Sequence, residues 1–261
     1  MSKPHPYMLS IDGTDFAGKK TLAHEIAAYV KEHLGLNTEI ISFPAYDLPT
    51  GKGVLSFLNG EIPFVGKTIG DRIAYMRMIA QIFHVNRMEY FLKNDLDDLS
   101  TVYIFDRYIL SNAIHQIAEF VGDYMKLLNN DVSDIETARD TGYLLGLDHY
   151  SDILRMELEN KILPQMDLYI VIHASGSYLD SLEKAMRDGS LKRPPKHDGS
   201  DVLENMVSIR RANEAIGYVV KSQDMKVFYN RGDVLVSSND ANHEDIMKSI
   251  HKGIEASGVL G

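Results

Sequence analysis

Short runs of apolar residues alternate along this chain with longer stretches of helical periodicity. Five runs rich in β-branched and aromatic residues predict buried strands, at residues 7–11, 39–43, 102–105, 168–172 and 234–236. Seven stretches with helical apolar spacing predict helices, at residues 19–34, 70–92, 111–128, 150–161, 178–186, 201–220 and 243–254. This alternation predicts an α/β fold, in which helices cover both faces of a five-stranded parallel sheet.

Three segments interrupt the alternation. Residues 47–66 are rich in glycine and proline, residues 129–149 are acidic, and residues 189–199 are basic and contain the pair Pro194 and Pro195. We expect the first and third segments to be loops over a site, and the second to be a surface insertion. Because no repeat or linker divides the chain, we expect residues 1–261 to form a single domain.

Composition limits the classes of partner. The formal net charge of -10 gives no general attraction to a polyanion, so we expect no nucleic-acid binding and only a local basic pocket for phosphate. The chain has no cysteine, which excludes disulfides and thiolate metal sites and is compatible with a reducing cytoplasm. We predict a cytoplasmic protein without a signal peptide or membrane contact, because no apolar run approaches the ~20 residues that span a bilayer.

A candidate phosphate-binding loop follows the first predicted strand and precedes the first predicted helix. It comprises Gly13, Thr14, Asp15, Phe16, Ala17, Gly18, Lys19, Lys20 and Thr21, all predicted to bind ATP. The two glycines permit the tight path that turns N–H groups toward a phosphate, and the helix adds its positive N-terminal end. We expect Lys19 to act in catalysis by reaching the β- and γ-phosphates. An ordinary strand-to-helix turn with an incidental lysine is the alternative.

The position that normally supplies a hydroxyl to Mg²⁺ is occupied here by Lys20. Two other side chains are therefore the candidate metal ligands: Thr21, one residue further on, and Asp106, at the end of the third predicted strand. The ion would otherwise be held by ATP oxygens and water.

An acid and a base, Asp106 and Arg107, end the third predicted strand. Ligands of open α/β sheets bind outside the carboxyl ends of such strands, so Arg107 is a candidate phosphate ligand and catalytic residue. A purely structural ion pair at this position is the alternative.

Four segments together resemble the thymidylate kinase family. They are the loop with Asp15, the segment Phe43-Pro44-Ala45-Tyr46-Asp47, the helical segment Phe83-His84-Val85-Asn86-Arg87, and Asp106-Arg107-Tyr108 with the following Ser111, Asn112, His115 and Gln116. The resemblance covers nearly the whole chain. It implies a P-loop NTPase-type three-layer fold with a mobile lid, Mg²⁺ as cofactor, ATP and dTMP as substrates, and a homodimer.

The resemblance also implies roles for individual residues. Asp15 would face the acceptor sugar, Phe83 would stack on thymine and Arg87 would hydrogen-bond a base carbonyl. Arg107 would hold the acceptor phosphate. The remaining substrate-binding candidates are Phe43, Ser111, Asn112 and Gln116, with Asn112 the better candidate for the pyrimidine edge. Core packing of Phe83 and solvent exposure of Arg87 are the alternatives.

We expect the positive charge that stabilises the transferred phosphoryl group to come from the basic segment at residues 189–199. The reason is that the phosphate loop carries Phe16 where some family members have an arginine. The lid would span about residues 187–200, and it contains Lys192, Arg193 and Lys196. Arg193 is the first candidate for a catalytic arginine and Arg187 is the second. An ordinary solvated basic loop is the alternative.

Three departures from the family pattern leave other functions open. Ala45 and Tyr46 stand where many members carry an arginine, His115 stands where many carry a tyrosine, and Lys20 replaces the usual hydroxyl. The leading prediction is a kinase that converts ATP and dTMP to ADP and dTDP. The alternatives are a kinase for dUMP or a modified pyrimidine deoxynucleotide, and a catalytically weak P-loop nucleotide-binding protein.

Overall fold

A computed structural model describes residues 5–128, 134–159, 162–188, 206–221 and 233–259. Its strands are β1 (Met8–Gly13), β2 (Asn37–Ser42), β3 (Thr101–Asp106), β4 (Leu168–His173) and β5 (Asp233–Ser238). Its helices are α1 (Lys19–Tyr29), α2 (Gly51–Leu58), α3 (Ile69–Lys93), α4 (Ile109–Leu127), α5 (Ile135–Glu159), α6 (Gly176–Arg187), α7 (Met206–Lys221) and α8 (Glu244–Ser257). A π-helical turn (Val30–Leu34) continues α1.

The five strands form one sheet in the order β2-β3-β1-β4-β5. All four neighbouring pairs are parallel, which confirms the predicted five-stranded parallel sheet. The strand β1 lies at the centre, and the chain crosses from one side of it to the other after β3. This switch in strand order opens a crevice at the carboxyl ends of β1 and β3, where ligands of such sheets bind.

Helices cover both faces of the sheet, as the alternation predicted. On one face, Tyr103 and Phe105 of β3 belong to a core with residues of α3, α4, α5 and α7. On the other face, Val102 and Ile104 belong to a core with residues of α1 and α8. Successive side chains of β3 thus enter different cores, as expected for a strand that is buried on both faces.

Two of the irregular segments are more ordered than the sequence suggested. The helix predicted over residues 150–161 begins at Ile135, so most of the predicted surface insertion is the first half of α5. Tyr143 in this half is buried in the same core as Tyr150. Residues 129–133 lie outside the described residues. The predicted loop 47–66 contains the short helix α2.

The other helices agree with the predicted positions over their described parts. Residues 189–205, which include most of the predicted lid and the start of the predicted helix 201–220, lie outside the described residues. No helix in the described part of the chain is both long enough and apolar enough to cross a lipid bilayer.

Candidate active site

The candidate phosphate loop connects the central strand β1 to α1 at the carboxyl edge of the sheet. Two of its residues need glycine. Gly13 has φ +133°, and a Cβ atom there would lie 2.0 Å from the carbonyl oxygen of Ile172. Gly18 has φ +83° and begins α1 without a capping side chain. Because the N-cap residue makes no side-chain hydrogen bond to this helix end, the N–H groups of the first turn remain able to bind an anion.

Lys19 lies inside the loop rather than in solvent. Its Nζ atom donates hydrogen bonds to the carbonyl oxygens of Gly13, at 3.1 Å, and of Thr14. The hydroxyl of Thr14 is buried and has no hydrogen-bond partner among the described residues. The loop thus holds a buried ammonium group that can exchange backbone carbonyls for phosphate oxygens. Lys20 and Thr21 are both exposed.

Asp15, Arg107 and His115 meet between the loop and the end of β3. The guanidinium of Arg107 donates to Asp15, and its Nη1 lies 3.5 Å from His115 Nε2. His115 Nε2 is 3.9 Å from the second carboxylate oxygen of Asp15. The Arg107 side chain is 28% exposed, whereas that of Asp15 is 5% exposed. Asp15 therefore holds a guanidinium that still reaches solvent at the mouth of the crevice.

Asp12, which was not among the predicted site residues, joins the phosphate loop to α4. Its Oδ1 accepts hydrogen bonds from the backbone N–H groups of Tyr108, at 2.7 Å, and Ser111, at 2.8 Å. Its Oδ2 accepts from the Ser10 hydroxyl at 2.8 Å. Asp12 thus caps α4 from a different strand. The sequence feature that could have identified Asp12 is an acidic residue inside an apolar strand, where an unpaired charge is costly.

Asp106 is the more buried of the two predicted metal ligands. Burial raises the pKa of its carboxyl group, and the positive charge of Lys19 opposes that rise. Across the described residues, no group of three or more histidine, aspartate or glutamate side chains could hold a metal ion. A carboxylate and a hydroxyl are the oxygen ligands that Mg²⁺ accepts, so Asp106 and Thr21 fit an ion held mainly by nucleotide and water.

The predicted acceptor-base residues of α3 lie against α2 and α5. Phe83 is half-buried, and its ring meets that of Phe57 edge-on with centroids 5.9 Å apart. Arg87 is 2% exposed and donates to the carboxylate of Glu157, which excludes the solvated alternative. Burial opposes the charge of Arg87, but Glu157 favours it, and the pKa of Arg87 is raised.

Besides two nitrogens of Arg72, five buried polar atoms on α3, α4 and α5 have no hydrogen-bond partner among the described residues. They are Arg87 Nε, Ser111 Oγ, Asn112 Oδ1, Tyr150 Oη and Glu157 Oε2. Asn112 uses its Nδ2 to donate to the Ala80 carbonyl oxygen at 3.5 Å, and Gln116 is buried on the same helix. Because buried polar groups are nearly always paired, a cluster of unpaired ones between these helices favours a polar ligand or water.

The sequence matches no family model and no curated protein. Among solved structures, it resembles a thymidylate kinase from Candida albicans with a TM-score of 0.57 and 14% sequence identity. The match covers 100% of this chain and 96% of that one. The fold is similar to that of a thymidylate kinase. This likeness agrees with the resemblance in the motifs, and at this level of identity it concerns the fold.

Phe43, a predicted substrate ligand, lies in an aromatic cluster of the thymidylate kinase-like fold. Its ring contacts those of Tyr90, Phe91, Phe105 and Tyr108, with centroids 5.3 to 6.2 Å apart. The side chain is therefore enclosed by other rings, and a contact with substrate stays a prediction.

Asn86, which was not among the predicted site residues, fixes the backbone that follows Phe43. Its Oδ1 accepts from the Ala45 N–H at 2.9 Å, and its Nδ2 donates to the Ala45 carbonyl oxygen at 2.9 Å. The same Nδ2 donates to the Thr50 hydroxyl at 3.1 Å. Hydrogen bonds from Asn86 therefore attach the segment after Phe43 to α3, the helix that also carries Phe83 and Arg87.

The predicted lid residues Lys192, Arg193 and Lys196 lie outside the described residues. Arg187, the second candidate for a catalytic arginine, is exposed near the end of α6 and pairs with Glu183. Arg210 of α7 pairs with the same carboxylate at 2.8 Å. A catalytic role for either Arg187 or Arg193 stays a prediction.

Proposed function

We propose that this protein is a thymidylate kinase, which transfers the γ-phosphoryl group of ATP to dTMP and releases ADP and dTDP. The observation that carries the proposal is the position of Arg107. It lies directly beside the ATP-type phosphate loop, with its guanidinium held by a residue of that loop and partly open to solvent. A partly exposed guanidinium suits a second phosphate, because its donors match phosphate oxygens in pairs.

In the proposed reaction, the loop and Lys19 bind the ATP phosphates while Arg107 binds the phosphate of dTMP. An oxygen of that phosphate forms a bond to the γ-phosphorus as the bond to the β–γ bridging oxygen breaks, and ADP leaves with the electron pair. Positioning and positive charge supply most of the catalysis in such transfers, so no strong general base is required. Arg193 is proposed to bring a further positive charge.

Mg²⁺ is the proposed cofactor, with Asp106 and Thr21 as the side chains that would hold it or its waters. When bound, the ion neutralises charge on the phosphate oxygens. Asp106 ends β3 beside the phosphate loop. Burial raises the pKa of its carboxyl group, and the positive charge of the buried Lys19 opposes that rise. This arrangement supports an ion that is bound together with the nucleotide rather than by the protein alone.

The proposed acceptor is dTMP because the resemblance assigns its base to Phe83, Arg87 and Asn112. The unpaired donor on Arg87 and the unpaired oxygen on Asn112 support a base with both hydrogen-bond acceptors and donors along its edge. A partly exposed aromatic ring at Phe83 supports stacking, which is worth about 1–3 kcal/mol per base.

The experiment that tests the function is an assay of ADP release with ATP and Mg²⁺, across dTMP, dUMP, dCMP and the corresponding ribonucleotides. We expect turnover to depend on the acceptor and to be fastest with dTMP. A preference for dUMP would replace thymidylate by a related acceptor. Acceptor-independent hydrolysis would instead favour a P-loop protein with weak ATPase activity, for which Lys20 is the motivating residue.

We also propose that the protein forms a homodimer through α3. Met78, Val85 and Leu92 are exposed at seven-residue spacing along this helix, so they lie close to one line on its surface. A second copy would cover this stripe. Sedimentation equilibrium of the full chain tests the proposal, and a monomer at micromolar concentration would contradict it.

A further inference from the structure

Glu157 is a fully buried carboxylate that the proposed transfer of phosphate does not use. It lies on α5 with a side-chain exposure of 0%, and its Oε1 accepts from two basic side chains of α3. These are Arg87, through Nη2, and His84, whose Nδ1 is 3.1 Å away. One carboxylate therefore holds two side chains that lie one turn apart on the helix of the proposed base site.

Stability alone gives little reason to keep such a group. Removing a carboxylate from water is costly, and a buried ion pair is often no more stabilising than apolar residues of the same volume. What such a pair does provide is a fixed orientation of the arginine side chain. A guanidinium paired with an immobile carboxylate has few orientations left, so its remaining donors point in defined directions.

Arg87 keeps an unused donor while it is held in this way. Its Nε has no hydrogen-bond partner among the described residues, although the side chain is 2% exposed. Asn112 Oδ1 and Ser111 Oγ, on the neighbouring helix, are also unpaired within the described part of the chain. The contact with Glu157 places the guanidinium of Arg87 against α5.

We propose that Glu157 is a positioning residue, which holds Arg87 in the orientation needed for its proposed hydrogen bond to a base carbonyl, so that a base with an amino group at that place is disfavoured. A guanidinium can only donate hydrogen bonds, so it pairs with the carbonyl of thymine or uracil and opposes the amino group of cytosine. Discrimination of this kind needs the donor to be immobile, because a mobile side chain can turn away from the wrong base. The inference rests on the proposed function and identifies what sets its base preference.

The test compares two carboxylates that each pair with a buried arginine of α3: Glu157, which is 0% exposed, and Asp123, which is 18% exposed. Glu157→Gln removes the charge beside Arg87 but keeps the size of the side chain. Asp123→Asn is the matched control, because Asp123 pairs at 2.8 Å with Arg72, which is 1% exposed. Arg72 packs against the rings of Phe64 and Tyr75, away from the residues assigned to the base.

For Glu157→Gln we expect the dissociation constant of dTMP, measured by calorimetry, to rise about tenfold or more, since hydrogen bonds to charged groups have that weight. The ratio of kcat/KM for dTMP over dCMP should fall by a similar factor, whereas the KM for ATP should change less than about twofold. Asp123→Asn should also lower the thermal midpoint, although less because Asp123 is 18% exposed, and it should leave dTMP binding and the ratio unchanged.

Two further variants keep the test decisive if Glu157→Gln folds poorly. Glu157→Asp keeps the charge but shortens its reach, and it should lower the same ratio. In a variant that lacks Arg87 (Arg87→Ala), adding Glu157→Gln should cause no further loss of base preference, because Glu157 acts through Arg87.

The outcomes separate the inference from the function. If Glu157→Gln and Glu157→Asp match Asp123→Asn in both dTMP affinity and base preference, the positioning role is wrong while the kinase proposal stands. If the unmodified protein binds none of the nucleoside monophosphates in the calorimeter, the proposed function is wrong and the inference is overturned with it.

Discussion

The two sides of the candidate site are built from different kinds of contact. On the proposed donor side, Lys19 bonds to carbonyl oxygens of its own loop, and the proposed anion-binding groups are backbone N–H groups at the start of α1. On the proposed acceptor side, Arg87 of α3 is held by Glu157 of α5, which is 70 residues further along the chain. One side is made by a continuous piece of backbone, and the other by side chains that only packing brings together.

This difference predicts which substitutions affect each substrate. A backbone loop keeps its shape as long as its special dihedral angles are allowed, so donor binding should be sensitive to its glycines and its lysine. A site made by side chains depends on the packing of α3, α4 and α5, so acceptor binding should respond to changes that leave the loop intact. ATP affinity and dTMP affinity should therefore be separable by mutation.

The largest effect is expected at Lys19. Lys19→Met keeps the length of the side chain but removes the ammonium group that we expect to meet the γ-phosphate. We expect kcat for ADP release to fall about 10²- to 10³-fold, the usual cost of losing one group that stabilises charge in the transition state. The fall is measured by steady-state kinetics at saturating ATP and dTMP.

Lys20→Met is the control for this prediction, because the neighbouring lysine is exposed and carries the same charge. We expect its kcat to change less than about threefold, since an exposed charge is screened by solvent and salt. Equal losses in the two variants would show that general positive charge, rather than the buried ammonium of Lys19, supports the reaction.

A smaller effect, on folding, is expected at the glycines of the loop. Gly13→Ala would place a methyl group 2.0 Å from the Ile172 carbonyl oxygen at φ +133°, whereas Gly18 has φ +83° and open space around it. We expect Gly13→Ala to lower the free energy of unfolding by at least about 3 kcal/mol, through clash and strain together. Gly18→Ala should cost about 1–2 kcal/mol, the price of a left-handed residue alone.

Urea unfolding followed by circular dichroism measures both changes. If the two variants lose equal stability, the close approach of β4 to Gly13 does not constrain the loop, and only its dihedral angles do. That outcome would weaken the view that the donor side is fixed by backbone packing against the sheet.

The same contrast explains how far the sequence could be interpreted. The phosphate loop and the five strands were predicted from contiguous residues, because their geometry follows from local spacing and dihedral angles. The pairing of Arg87 with Glu157, the capping of α4 by Asp12 and the support of Ala45 by Asn86 were not predicted. Each of these joins residues from separate elements, and helix or strand packing decides which polar side chains meet.

The first half of α5 was missed for a related reason. Its apolar positions, such as Ala138 and Tyr143, stand among many acidic and polar residues, which suggested a surface insertion. Packing against α4 overrides that local impression, because one apolar face is enough to bury a helix. Only the contact between the two helices makes residues 135–149 part of the core.

The smallest effect is expected at Tyr178 of α6, a side chain from outside the loop that supports it. Its hydroxyl donates to the carbonyl oxygen of Phe16 at 2.8 Å, and Phe16 has φ +62°, an uncommon angle for a residue with a side chain. Tyr178→Phe removes a hydrogen bond worth about 1 kcal/mol, so we expect the KM for ATP to rise about fivefold while the KM for dTMP stays constant.

Tyr75→Phe is the matched control, because it removes a similar bond from a tyrosine to the carbonyl oxygen of Ile62. An unchanged KM for ATP in Tyr178→Phe would mean that the loop holds its conformation without help from α6, and would make the donor side even more independent of side-chain contacts.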